Sequence, residues 1–198
     1  MDTLLTLVIA LGGIATGIGA IWTALLGRRQ LNEQRQFLSE QNDRARLTLE
    51  FDLLTRLGER FQSPHFLGRR RRAAKHVIET FFVDDDTVGV GRFNRAATDV
   101  ANFFEEVGYF QRRGVLQAES VWHTFGAPTR AYWTVFGPTV HKMREEQNDP
   151  TVYEDFERLD RLVADLNRER GIAPPTGERL RRIMEDETVV GEESPGRG

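Results

Sequence analysis

Cysteine is absent from all 198 residues. That excludes disulfides, thiolate nucleophiles and Cys-ligated zinc or iron–sulfur sites together. An excess of charge is lacking too: 27 Lys and Arg stand against 30 Asp and Glu, a net charge of -3. A dedicated nucleic-acid-binding domain usually carries a basic excess, so nucleic acid is not expected as a partner. The four histidines (His65, His76, His123 and His141) include no His-Glu-x-x-His pair. Glu-x-x-His, the di-iron signature of helical bundles, is missing as well: Glu119 and His123 are four apart, and His76 precedes Glu79. The glycines at 89 and 91 lack the third glycine of a dinucleotide fingerprint, Ser120 has no Gly-x-Ser-x-Gly elbow, and there is no P-loop. Neither a metal nor a cofactor is therefore expected.

Charge is missing altogether from Leu4 to Leu26, a run of 23 residues. At ~1.5 Å rise per residue it is long enough to cross a hydrocarbon core of about 30 Å. The run exceeds a signal-peptide core, and Met1-Asp2-Thr3 offers no positive start, so a retained span is expected. No basic residue precedes it, whereas Arg28, Arg29 and Arg35 come after. The Lys/Arg bias orients the N-terminus outside and the rest in the cytoplasm, a single-pass inner-membrane topology. Gly13, Gly17, Ala20 and Ala24 draw a strip of small side chains along one helix face, suited to self-association in lipid. Leu31, Leu38 and Ala45 continue the phase by sevens.

Beyond Gly27 the chain reads as helix, with no strand alternation and no repeat of solenoid length. The expected fold is all-α: a transmembrane helix at 4–26, a juxtamembrane helical stalk at 27–60, a cytoplasmic helical bundle at 61–172 and a mostly disordered tail at 173–198. Ser63-Pro64 is a helix start. A helix near residues 92–113 places Phe93, Ala97, Val100, Phe104 and Val107 on one face and ends at Gly114. A short helix through Val121, Trp122 and Phe125 is expected to break at Gly126-Ala127-Pro128, and the next to kink at Gly137-Pro138. Asp149-Pro150 opens a last long helix stopped by Gly171 and Pro174-Pro175. Leu180, Ile183 and Met184 suit one further short turn of helix.

The chain carries DVANFFEEVGYFQRRG at 99–114, then VLQAESVWHTFG, AYW with a proline soon after, and DPTVYEDFERL at 149–159. Together and in that order they make it resemble a family of bacterial single-span membrane proteins known only as a domain of unknown function. The resemblance covers most of residues 50–165 and implies no activity and no site residues. One departure is visible: Gln117 stands where such sequences tend to have an acidic helix cap.

Three constellations remain. Asp99 and Glu106 share a helix face, and with His123 they are the candidates for acid–base work in a membrane-proximal hydrolase or nuclease. Against that stands pairing of both carboxylates with arginines of a neighbouring helix. Trp122, Tyr132 and Trp133, with Phe125 and Phe136, form the densest aromatic patch, a core in the plainer reading and a ligand or partner groove in the sharper one. Arg69 to Arg72 cannot share one helix face, since successive residues turn by about 100°. Some can meet lipid headgroups and others neighbouring acids. The function expected is a membrane-anchored interaction or regulatory module, whose partners are membrane lipid, a second copy through the span and another protein.

Overall fold

A computed structural model of the chain describes residues 37–38, 41–42, 44–82 and 87–189. The uncharged run, with Gly13, Gly17, Ala20 and Ala24, lies outside them. Among the described residues no helix is long and apolar enough to cross a membrane. The chain divides into two units, Met1–Thr48 and Leu49–Gly198. In the first, residues 44–48 are helical and exposed.

The second unit is all-α. A helix over residues 49–62 (α1) is followed by α2 (Pro64–Thr80), α3 (Arg95–Arg112), α4 (Ala118–Gln147), α5 (Glu154–Glu169) and α6 (Gly177–Val189). An isolated antiparallel bridge, Phe82 to Val88, is the one extended pairing among the described residues. Local signals set most boundaries. The Ser63 hydroxyl accepts from the Phe66 N–H, with Pro64 opening the helix behind it. The Asn94 side chain does the same for Ala97 at 2.8 Å. Gly114 (φ +69°) and Gly171 (φ +68°) leave α3 and α5 through the left-handed region, where a Cβ is costly.

Four expectations need correction. The bundle begins at Leu49 rather than 61, near Leu47 where the rising apolar content already suggests that the stalk docks, because Glu50 and Leu57 of α1 are buried. The short turn of helix expected at Leu180, Ile183 and Met184 is a full helix over residues 177–189, so less of the 173–198 tail is irregular than expected: Leu180 and Met184 are buried, and α6 packs on α2. The break at Pro128 does not occur, and α4 runs as one 30-residue helix through both Pro128 and Pro138. Each interior proline costs ~3 kcal/mol. Yet the same helix buries Phe125, Tyr132, Trp133, Val135, Phe136 and Val140, at ~1.5–3 kcal/mol for each large side chain. Burial wins. α5 also starts later than Asp149-Pro150 suggests, because Asp149 holds Thr151 in a turn through N–H and hydroxyl bonds of 2.9 and 2.6 Å.

α3 lies at the centre, packing on α2, α4 and α5. Phe61, Phe66, Phe103, Phe104 and Phe125 interlock around it, with ring centroids 5.1–6.0 Å apart. Phe104 stacks on Phe156 of α5 at 5.0 Å. α4 and α5 run antiparallel, so Trp133 meets Phe156, Arg130 meets Asp160 and Trp122 meets Asn167 in descending order.

Candidate functional site

The three acid–base candidates are held apart by their partners. Asp99 pairs with Arg69 of α2, and Glu106 with Arg60 of α1 at 2.5 Å. His123 stands exposed on α4, with Nε2 3.9 Å from Glu119. The carboxylates of the α3 face thus tie α3 to the two preceding helices. The four consecutive arginines divide as their helical rotation requires. Arg69 binds Asp99, Arg70 is buried, Arg71 is half-buried and Arg72 is exposed.

The motifs carrying the family resemblance build one helix joint. Glu105, Gly108 and Arg112 lie on α3 by steps of three and four, facing the start of α5. Tyr153, the residue before α5, sits at φ +54° and gives no side-chain cap. The Glu105 carboxylate caps that helix instead, accepting from the Phe156 N–H at 2.7 Å and the Asp155 N–H at 3.4 Å. Burial pushes the Glu105 carboxyl up from its ordinary range, and these two N–H groups oppose the rise. Arg112 grips Asp155 with two bonds, Nε to Oδ1 at 2.5 Å and Nη2 to Oδ2 at 3.0 Å. Gly108 lets the backbones meet, since a Cβ there would lie 2.6 Å from the Asp155 carbonyl carbon. At the other end of this turn Arg144 donates to the Val152 carbonyl and to Glu157. The Gln117 departure is offset in a similar way: Glu50 of α1, buried, accepts from the Gln117 N–H at 2.9 Å and puts a carboxylate at the start of α4.

The aromatic patch separates. Tyr132 is fully buried and Trp133 nearly so, which makes them core and corrects their place in a groove. Trp122 is half-buried and does line a cleft, of about 340 Å³, bounded by α4, the end of α5, residues 172–175 and α6. Three contacts fix its wall. The Trp122 indole N–H donates to Asn167 Oδ1 at 2.7 Å, the Arg170 guanidinium lies 4.2 Å from the indole centroid, and Arg170 also pairs with Glu119. Ala127, Pro128, Ile172, Pro175 and Ile183 supply apolar surface, and Arg130 and Arg179 supply charge. Arg130 is spent on Asp160, at 2.5–2.6 Å. Burial of Asp160 outweighs that attraction and raises its carboxyl to about 6.

Sequence reasoning missed a second polar cluster, in the interior. Arg70 of α2 pairs with Glu187 of α6, donates to the Phe61 carbonyl at 3.2 Å and lies 3.9 Å above the Phe61 ring. The Tyr132 hydroxyl feels both charges. Like Thr129 Oγ1, Arg70 Nε and Glu187 Oε2, it has no partner in ordinary hydrogen-bond geometry among the described residues. Desolvation moves the Tyr132 phenol far upward, so it stays protonated. No local signal announces the Arg70–Glu187 pair, since 117 residues separate its members. Among the described residues no group of three or more His, Asp or Glu is placed to hold a metal ion.

The profile of one family, described as a domain of unknown function (DUF4760), matches residues 6–161. No curated protein and no solved structure matches the chain.

Proposed function

Because the chain belongs to the DUF4760 family, over a stretch that starts inside its uncharged run, we propose that it is a membrane-anchored helical interaction module. Residues 4–26 are its single span in a bacterial inner membrane, with the N-terminus outside and the bundle in the cytoplasm. The observation that carries the reading is the fate of the motif residues. Glu105, Gly108, Arg112 and Asp155 are all engaged in joining α3 to α5, so what the motifs specify is a rigid shape. Asp99 and Glu106 serve the same end through Arg69 and Arg60. A rigid bundle behind an apolar anchor suits a surface presented to a protein partner, with the span pairing copies through Gly13, Gly17, Ala20 and Ala24. Since no native cysteine interferes, Thr3→Cys and Ser194→Cys can each be labelled in intact cells with an impermeant thiol reagent. Labelling is expected at position 3, with position 194 reacting only after lysis. The opposite pattern overturns the orientation, and release of the chain by alkaline carbonate overturns the anchor.

A further inference from the structure

We propose that the cleft beside Trp122 binds a small organic anion with a flat apolar body, of which an aryl carboxylate is the simplest example. Its volume of about 340 Å³ falls at the low end of the roughly 300–1,000 Å³ typical of small-molecule sites. Its walls are flat and apolar: the Trp122 indole, the rings of Pro128 and Pro175, and the side chains of Ile172 and Ile183. No Asp or Glu lines it. The guanidinium groups that do line it are not equivalent. Arg130 is neutralised by the buried Asp160. The Arg179 guanidinium, exposed at the start of α6, engages no described residue, although the neighbouring arginines Arg181 and Arg182 both meet glutamates.

An uncompensated guanidinium beside an apolar slot complements a carboxylate attached to a flat ring. The fork of N–H donors meets the two oxygens while the ring displaces water from the walls. The wall is also pre-organised. Asn167 fixes the indole orientation and Arg170 covers one face, so little side-chain freedom is lost when a ligand enters. This site makes no use of the membrane anchor, and its failure or success leaves that reading untouched.

The test uses the full chain in phosphatidylcholine nanodiscs, titrated calorimetrically with 1-naphthoate and with its neutral analogue 1-naphthamide, empty nanodiscs being subtracted. One saturable site is expected, with naphthoate preferred by roughly tenfold, the worth of one charge-assisted pairing. Arg179→Gln, on an exposed side chain, is expected to bring naphthoate to the affinity of naphthamide and leave naphthamide unchanged. Ala127→Phe, which fills the slot from an exposed position, is expected to weaken both. Absence of saturable naphthoate binding overturns the proposal. So does equal affinity for the two probes, or an Arg179→Gln variant that still prefers the anion.

Discussion

Adding one methyl group to Gly108 is expected to destabilise the bundle, against the usual sign of a glycine-to-alanine change inside a helix. Alanine is intrinsically better by ~0.8–1 kcal/mol at such a position. Here the new Cβ would lie 2.6 Å from the Asp155 carbonyl carbon and closer still to its oxygen. Both atoms are backbone, so no rotamer change relieves the clash, and α5 must retreat from α3. Retreat loosens the two N–H bonds to Glu105, the Arg112–Asp155 pair and the Phe104–Phe156 stack. Overpacking costs ~1–3 kcal/mol and a lost helix cap ~1 kcal/mol. Set against the propensity gain, the net loss is about 1–3 kcal/mol. Gly58→Ala is the matched control, because nothing lies within 4 Å of its Cβ position on α1. It should gain ~0.5–1 kcal/mol. Urea unfolding of the full chain in non-ionic detergent, followed by far-UV circular dichroism, reads both as shifts of the midpoint. With a slope of ~2 kcal/mol per molar, Gly108→Ala should move the midpoint down by about 1 M. A Gly108→Ala protein as stable as wild type, or more so, would refute a backbone contact at this joint.

Three further outcomes are expected. Asp160, raised to about 6 in the fold from an ordinary 3.8, holds a proton more tightly when folded than unfolded. Its contribution, on the order of 3 kcal/mol, is complete below pH ~3.8 and fades as the pH rises through ~6. Wild type should therefore lose ground relative to Asp160→Asn between pH 4 and 7.5 in urea midpoints, and parallel pH profiles would contradict the assignment. Truncating either member of the buried Arg70–Glu187 pair to leucine should cost ~3–5 kcal/mol by stranding the other charge, whereas the double variant should recover most of it. Additive losses in that double-mutant cycle would show the pair to be uncoupled. Trp133→Ala should cost ~3–5 kcal/mol, and Trp122→Ala distinctly less, as thermal melts of the two will read. Equal melting temperatures would place both rings in the same environment.

Features that depend on a few adjacent residues were legible in the sequence. Ser63-Pro64, Gly114 and Gly171 each mark a helix end, and the periodic face of α3 is the buried one. Features that depend on the environment were not. Pro128 and Pro138 have the chemistry of breakers, and only the apolar surroundings of α4 carry the helix through them. Tyr153 at positive φ has no sequence signature, because the strain is supported by Glu105 from another helix. Trp122 and Trp133 lie eleven residues apart on nearly one face of α4, so periodicity treats them alike. What separates them is the partner that α5 presents, Phe156 near its start and Asn167 near its end. The cleft was therefore visible as an aromatic patch without its location. Arg179, the residue that gives it a charge, looked like one arginine among many.

The docking of α6 on α2 sets an order of events during synthesis. The two helices are separated by residues 81–176, which a ribosome working at ~5–20 residues per second needs roughly 5–20 s to add. Through that interval α2 can gather α1 and α3, its nearer neighbours, while Arg70 stays hydrated. In the finished bundle its guanidinium meets Glu187 together with the Phe61 carbonyl and ring. The last helix thus closes a surface that the nascent bundle must leave open, and the charge on Arg70 keeps that waiting surface from being wholly apolar. A chain released before α6 would lack Leu180, Met184 and Glu187, leaving that face of α2 uncovered and Arg70 without its carboxylate partner.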